Sequence, residues 1–520
     1  MIMMASIFLS RVIGYVRESV IAAVAGADSA VDAYRVAFSL PEILNHVLAS
    51  GFLSVTFIPI FSKYLANKDE DGAWNIFSVI LTTFGSILAV LIILSMNFAP
   101  LIVPLLAPGR KDPEFLNMAV YLTRIILPAQ LFFFAGGILM AVQFAKEQFW
   151  IPALAPLVYN LGIICGGLFL GPRIGVEGFS WGALAGAFIG NFLIQIFGAR
   201  RVGLRFRFLF NLRHKDLHRY ILLTLPLMVG LTMVFSMEIF TKLFGSYLKE
   251  GSIAWLDFAK TIMSMPVSFF GQAIGVAAFP YLARLAAEKR WMDLNRMLNT
   301  LLRFLTTLII PTAILMYVLR HEIIRVIYEH GEFGPGDTAM TAIALSGLLV
   351  GVFAIPAMNM VNRGFYAMQN TLLPAVYGSA AVVASLPVYW LGLKIYGLLG
   401  VALGVSFSSI LQVAVLFTLW NRRSGNVESR SVYLSCLKTI TAGIPLGVVL
   451  WGTHHFLAAK IDPTSLYGSL LIIAGVSVEF LAIMALGGWI FRVEGIRYIG
   501  ERILKRLKRG SHPDNANSKI

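Results

Sequence analysis

Apolar runs separated by short polar stretches fill the chain from end to end. Each run is close to the roughly 20 residues a helix needs to cross a ~30 Å hydrocarbon core. The alternation over ~10 residues that marks a transmembrane β-barrel is missing. The pattern predicts an all-α polytopic membrane protein of about fourteen helices. The first half gives residues 4–25, 33–62, 74–98, 117–141, 151–170 and 177–199; the second gives 221–246, 253–283, 299–320, 338–360, 373–392, 397–420, 433–456 and 464–490. The second and eighth runs are long and hold Pro41 and Pro266, which predicts a kink or break in each.

Composition agrees. Of 520 residues, 58% are apolar and 13% are charged, with a mean hydropathy of +0.77. Soluble domains carry about 25% charged residues. The net charge of +15 points to orientation and not to nucleic acid, because the cations gather in alternate loops and at the C-terminus. One set of loops and the tail hold 27 Lys and Arg; the other set holds 8. The richer set is expected to be cytoplasmic, with both termini inside. No cation precedes Arg11, so the first run reads as a retained helix and not as a cleaved signal. Cys165 and Cys436 lie in separate apolar runs and read as small buried residues.

Short matches recur at a nearly fixed offset. FIPIFSK (57–63) resembles AFPYLAR (278–284), pairing Pro59 with Pro280. QFAKEQFWIP (143–152) resembles FYAMQNTLLP (365–374), pairing Pro152 with Pro374. Two parallel six-helix lobes follow, with a substrate path expected between them. The organisation read here is an N-lobe (1–199), a basic linker (200–220), a C-lobe (221–420), two further helices (421–490) and a basic tail (491–520). The tail begins as a basic helix suited to anionic lipid.

The polar exceptions within apolar runs carry the candidate chemistry. The first run reads LSRVIGYVRESVIAAVAG (9–26), with Arg11, Arg17 and Glu18. A charge at bilayer depth costs at least ~2.5–3.5 kcal/mol, so it persists where it is paired or faces a wet cavity. The next run adds Asp32 and Arg35, three apart, and Glu42 and His46, four apart, with Asn45 beside them. In the second half Glu238 and Lys242 are four apart, and Asp257 and Lys260 three apart. Those spacings allow local polar pairs within each helix. They also predict four polar helices, two per lobe, around one charged cavity. Gly182, Gly186 and Gly190 form a ladder for close helix packing. No metal-ligand spacing, phosphate-binding glycine loop or nucleophile elbow occurs in the sequence. A transporter without a cofactor, driven by membrane potential or an ion gradient, is therefore expected, and not an enzyme.

The run from Leu9 to Tyr64 (LSRVIGYVRE…AVDAYRVAFSLPEIL…SGFLSVTFIPIFSKY) resembles the N-terminal signature of the MurJ/MviN lipid II flippases. So do LLAPG (105–109), IYEHGEFGPGDT (327–338) and RGFYAMQNTLLP (363–374). The resemblance implies the multidrug/oligosaccharidyl-lipid/polysaccharide exporter fold, with two C-terminal helices forming a lipid-facing groove. It implies a bacterial cytoplasmic membrane protein that moves a polyprenyl-diphosphate-linked disaccharide-pentapeptide outward by alternating access, alongside other cell-wall synthesis proteins. Arg11, Arg17 and Asp32 fall on charged positions of that family, and Glu18 stands where it usually has Asp. Asn45 and His46 replace paired arginines, Ser50 replaces a glutamate, and Lys260 and Thr261 replace an Asp-Arg pair. These departures leave a second substrate open, another lipid-linked saccharide, and less so a small-molecule antiport. They make Arg17 the expected main phosphate contact, supported by Arg11, with Lys260 and His46 as stand-ins.

Overall fold

The computed structural model describes residues 2–48, 56–230, 232–368 and 370–490. Ser50 and the basic tail from 491 lie outside the described residues, as does the side chain of His46. Among the described residues all regular structure is helical. The first half holds α1 (Ile2–Ala25), α2 (Ser29–Ala37), α3 (Ser39–Leu48), α4 (Ile58–Ala66), α5 (Glu70–Leu106), α6 (Pro113–Ile126), α7 (Ala129–Ala145), α8 (Ala155–Ile174), α9 (Glu177–Gly186) and α10 (Ile194–Arg201). The second holds α11 (Lys215–Gly230), α12 (Thr232–Gly245), α13 (Ser252–Pro266), α14 (Ala273–Ala287), α15 (Trp291–Val318), α16 (Arg320–Tyr328), α17 (Pro335–Leu349), α18 (Ala354–Ala367) and α19 (Leu372–Ser424). Two long helices follow, α20 (Arg430–Ala458) and α21 (Leu466–Ile490).

Nine stretches among the described residues are long and apolar enough to cross a membrane. One of them, α19, is two helices joined where Gly397 takes φ 55°. None of the nine is α1, α2–α4, α11–α12 or α13–α14. These are the four polar segments singled out in the sequence. Both expected breaks are present. The second run divides at Phe38, with Pro41 in the first turn of α3 where a missing N–H costs nothing. The eighth divides at Pro266, which ends α13 and leads into a π-helical turn, residues 267–272.

Helices of each half pack mainly on their own half, and α20 and α21 lean on α15 and α16 of the second. The glycine ladder packs α9 on α8: a Cβ on Gly182 would run into the carbonyl oxygen of Gly162. Large apolar side chains cover the outside, among them Phe169 at 74% and Leu105 at 72% exposure, as a lipid-facing surface requires. Cys165 belongs to that exterior. It is exposed, contrary to the expected buried position, because its side of α8 faces away from the bundle; both cysteines are free.

Two cores join the halves. At the end poor in Lys and Arg, Ile21, Val31 and Tyr34 pack with Ala254, Trp255, Phe258 and Tyr328. At the basic end, Leu217 and Tyr220 of α11 enter a first-half core of Phe57, Phe61, Trp74 and Phe77.

Candidate functional site

The charge-poor end is closed by a clamp that begins in α2. Asp28 caps α2 by accepting the Val31 amide at 2.9 Å, which directs Asp32 toward the second half. Asp32 is fully buried. Its Oδ1 accepts the Ala254 amide at 2.8 Å, and its Oδ2 accepts the Gly251 amide at 2.9 Å and Arg110 Nη2 at 2.8 Å. The first amides of a helix have no partners within it. An N-lobe carboxylate thus caps α13 of the other half in trans, where a negative charge also meets the positive end of the helix dipole. Gly251 takes φ +81°, and a Cβ there would run into the carbonyl oxygen of Ala27. Two further contacts close the same end. The Glu332 amide donates to Ala23 O at 3.0 Å, and the Gly109 amide donates to Ser246 Oγ at 2.9 Å.

Deeper between the halves lies a cavity of about 360 Å³. Three cations, Arg17, Arg35 and Lys242, and three carboxylates, Glu18, Glu42 and Asp257, line it, with Tyr34, Asn45, Gln130 and Tyr159. Glu18, 3% exposed, is the hub. It accepts Arg17 Nη2 at 2.6 Å and Arg35 Nη2 at 2.5 Å. Arg17 Nη1 also donates to Asn160 Oδ1 at 3.0 Å. Arg35 lies 4.9 Å from the ring centre of Phe258 and 3.9 Å from Asp257, so it bridges the halves. Lys242 meets Glu42 at 3.5 Å, again across the halves, while Lys260 meets Glu238 at 2.7 Å within the second.

Three of the four local pairs that the spacing allows give way to partners on other helices, and the fourth, Glu42 with His46, lies outside the described residues. Asp32 takes Arg110 and not Arg35; Glu238 takes Lys260 and not Lys242; Asp257 faces Arg35 and not Lys260; Glu42 takes Lys242, and its expected partner His46 has its side chain outside the described residues. Residues three or four apart are neighbours along one helix face. In a bundle that face is turned toward other helices, whose charges offer shorter, better-shielded pairs. Of the expected cavity residues, Arg17, Glu18, Arg35, Glu42, Asn45, Lys242 and Asp257 line the space. Arg11 does not: it is half-buried nearer the start of α1. Asp32 belongs to the clamp, and Glu238 and Lys260 form a pair beside the cavity. The sequence reading missed Tyr34, Gln130, Tyr159, Asn160 and Arg110. Tyr159 and Asn160, adjacent within the apolar run 151–170, were the available signal. Arg110 had none, since a loop cation reads as solvated.

A second, apolar cavity of about 630 Å³ runs between α15, α17 and α20, lined among others by Ile314, Tyr317, Val350, Ile444, Gly447 and Trp451. It is a cleft suited to a hydrocarbon chain.

Comparison with known proteins adds to this geometry. A family model described as lipid II flippase MurJ matches residues 21–471. A lipid II flippase MurJ of Burkholderia cenocepacia is 25% identical over 465 residues, covering 88% of this chain and 89% of that one. A probable lipid II flippase MurJ of Rhizobium tropici is also 25% identical, over 496 residues and 92% of both chains. Among solved structures, a lipid II flippase MurJ in an inward closed conformation superposes with a TM-score of 0.75 at 24% identity, covering 93% of this chain and 99% of that chain. An inward-facing multidrug resistance MATE family transporter of the MOP superfamily gives 0.66 at 14% identity, covering 80% and 94%. Both carry the same fold.

Proposed function

The chain belongs to the lipid II flippase MurJ family, and from that premise we propose that it carries lipid II across the bacterial cytoplasmic membrane by alternating access. The observation that carries this reading is the juxtaposition of a charged cavity between the halves with a separate apolar groove. A lipid-linked diphosphate needs both. Its phosphates seek guanidinium forks, and its polyprenyl tail gains by leaving water for apolar surface.

Arg17, Arg35 and Lys242 are the cations that would receive the diphosphate. Arg17 is 27% exposed in its side chain and Arg35 12%, and both already share Glu18. The substrate would compete with that carboxylate for the two forks. Arg35 thereby supplies the second fork that Asn45 and Thr261 lack. Arg11, Lys260 and His46 would act in support, and Glu42, Asp257 and Glu238 would hold the cations in place. The tail would lie in the groove beside α20. The basic end faces the cytoplasm, with both termini inside, so that the Asp32 clamp closes the periplasmic side. Membrane potential, worth ~2.3 kcal/mol per charge per 100 mV, would drive the step without a bound cofactor.

The test is reconstitution of the full chain in vesicles loaded with lipid II and scored for its appearance on the opposite leaflet. Potential-dependent transfer is expected. No transfer by well-folded protein, or equal transfer of a polyprenyl monophosphate lacking the saccharide, would refute the assignment.

A further inference from the structure

The basic linker has no role in the transport reading, yet it folds into a site of its own. Residues 204–211 have no regular secondary structure and lie along the first turns of α5. The Arg207 amide donates to Ser78 Oγ at 3.1 Å, and Leu204 and Leu209 pack into the first-half core. Arg205, Arg207, Leu209 and Phe210 line a pocket of about 530 Å³ against α5. Phe206 and Phe208 do not line it and are 49% and 76% exposed.

The pocket is rich in donors. Its one carboxylate, Asp71, is already bound by Arg205 at 2.7 Å, which leaves Arg207 as the surplus cation. His214 Nδ1 accepts the Asp216 amide at 3.2 Å, so its neutral ring carries the proton on Nε2. Trp74, 3% exposed, closes the floor of the pocket with its ring.

We propose that this pocket binds the phosphate headgroup of an anionic membrane lipid. A soluble phosphate would satisfy the same donors. The exposed phenylalanines decide for lipid: aromatic rings next to arginines, at the polar end of a membrane span, are suited to the boundary between headgroups and acyl chains. The linker is then a surface anchor that ties the start of α11 to the lipid beside α5.

Native mass spectrometry of the purified full chain tests this, titrating phosphatidylglycerol, phosphatidylcholine and inorganic phosphate separately. Arg205→Gln with Arg207→Gln should weaken phosphatidylglycerol binding about thirtyfold, at the strength of two interfacial cations, and leave phosphatidylcholine binding unchanged. Phe206→Ser with Phe208→Ser should weaken phosphatidylglycerol as well. Asp71→Asn should tighten it, a gain that misfolding cannot mimic. Phosphatidylglycerol affinity unmoved by the arginine and Asp71 changes would overturn the site. Inorganic phosphate that binds as tightly as phosphatidylglycerol, with no effect of the phenylalanine changes, would overturn the lipid as its ligand.

Discussion

Two buried acidic residues of the first half, Asp32 and Glu18, sit where the halves meet, and they differ in kind. In the clamp, Asp32 is sealed from solvent and all its donors are in place: two amides of α13 and one guanidinium. In the cavity, Glu18 is almost equally buried, but its partners Arg17 and Arg35 line open space. A fully satisfied carboxylate makes a lock. A carboxylate holding cations at the edge of a cavity makes a placeholder, which an incoming anion can displace.

Asp32→Ala attacks the lock and has the largest expected effect. It leaves Arg110 with only a 3.8 Å contact to exposed Glu250 and strips the cap from α13, which should cost the clamped state about 3 kcal/mol. Spin labels at Lys111 and Lys249, exposed on the two halves beside the clamp, should report a longer, broader distance distribution. An unchanged distribution would mean that Asp32 does not hold the halves together. Gly251→Ala attacks the same lock through sterics. With φ +81° and Ala27 O in the way, it should cost about 1–3 kcal/mol, seen as a smaller opening in the same label pair.

Glu18→Gln tests the placeholder. Removing the charge should lower thermal stability by about 1–2 kcal/mol, since two guanidiniums lose a charged acceptor. It should also tighten binding of pyrophosphate to the purified protein. Weaker binding in this variant would make Glu18 part of the anion site and collapse the contrast with Asp32. Lys242→Met should do least to stability, below about 1 kcal/mol, because its 3.5 Å pair is long and Glu42 is 36% exposed. Transport should still fall, because one of three cavity cations is gone; unaltered transport would remove Lys242 from the site.

Much of this arrangement was legible in the chain. Charged residues in α1, α2, α12 and α13 pointed to one cavity because the hydrocarbon environment forbids them elsewhere. Pro41 and Pro266 marked both breaks, since a missing amide hydrogen and a ring clash act locally. Pairing was not legible. Spacings of three and four indicate which charges share a face, but the partner is set by whichever helix that face meets, as Asp32 with Arg110 and Arg35 with Glu18 and Asp257 demonstrate. The sequence also gave no warning of Tyr34 or Gln130, whose residue types are common in apolar runs near interfaces.

The central claim is that Arg17 and Arg35, held by Glu18, receive the diphosphate of lipid II. Initial flipping rates of reconstituted Arg17→Ala and Arg17→Lys test it most directly. The account predicts that alanine loses at least about tenfold, the equivalent of one charge-assisted hydrogen bond, and that lysine, a charge without the fork, falls between alanine and wild type. An alanine variant that flips lipid II at the wild-type rate would contradict it.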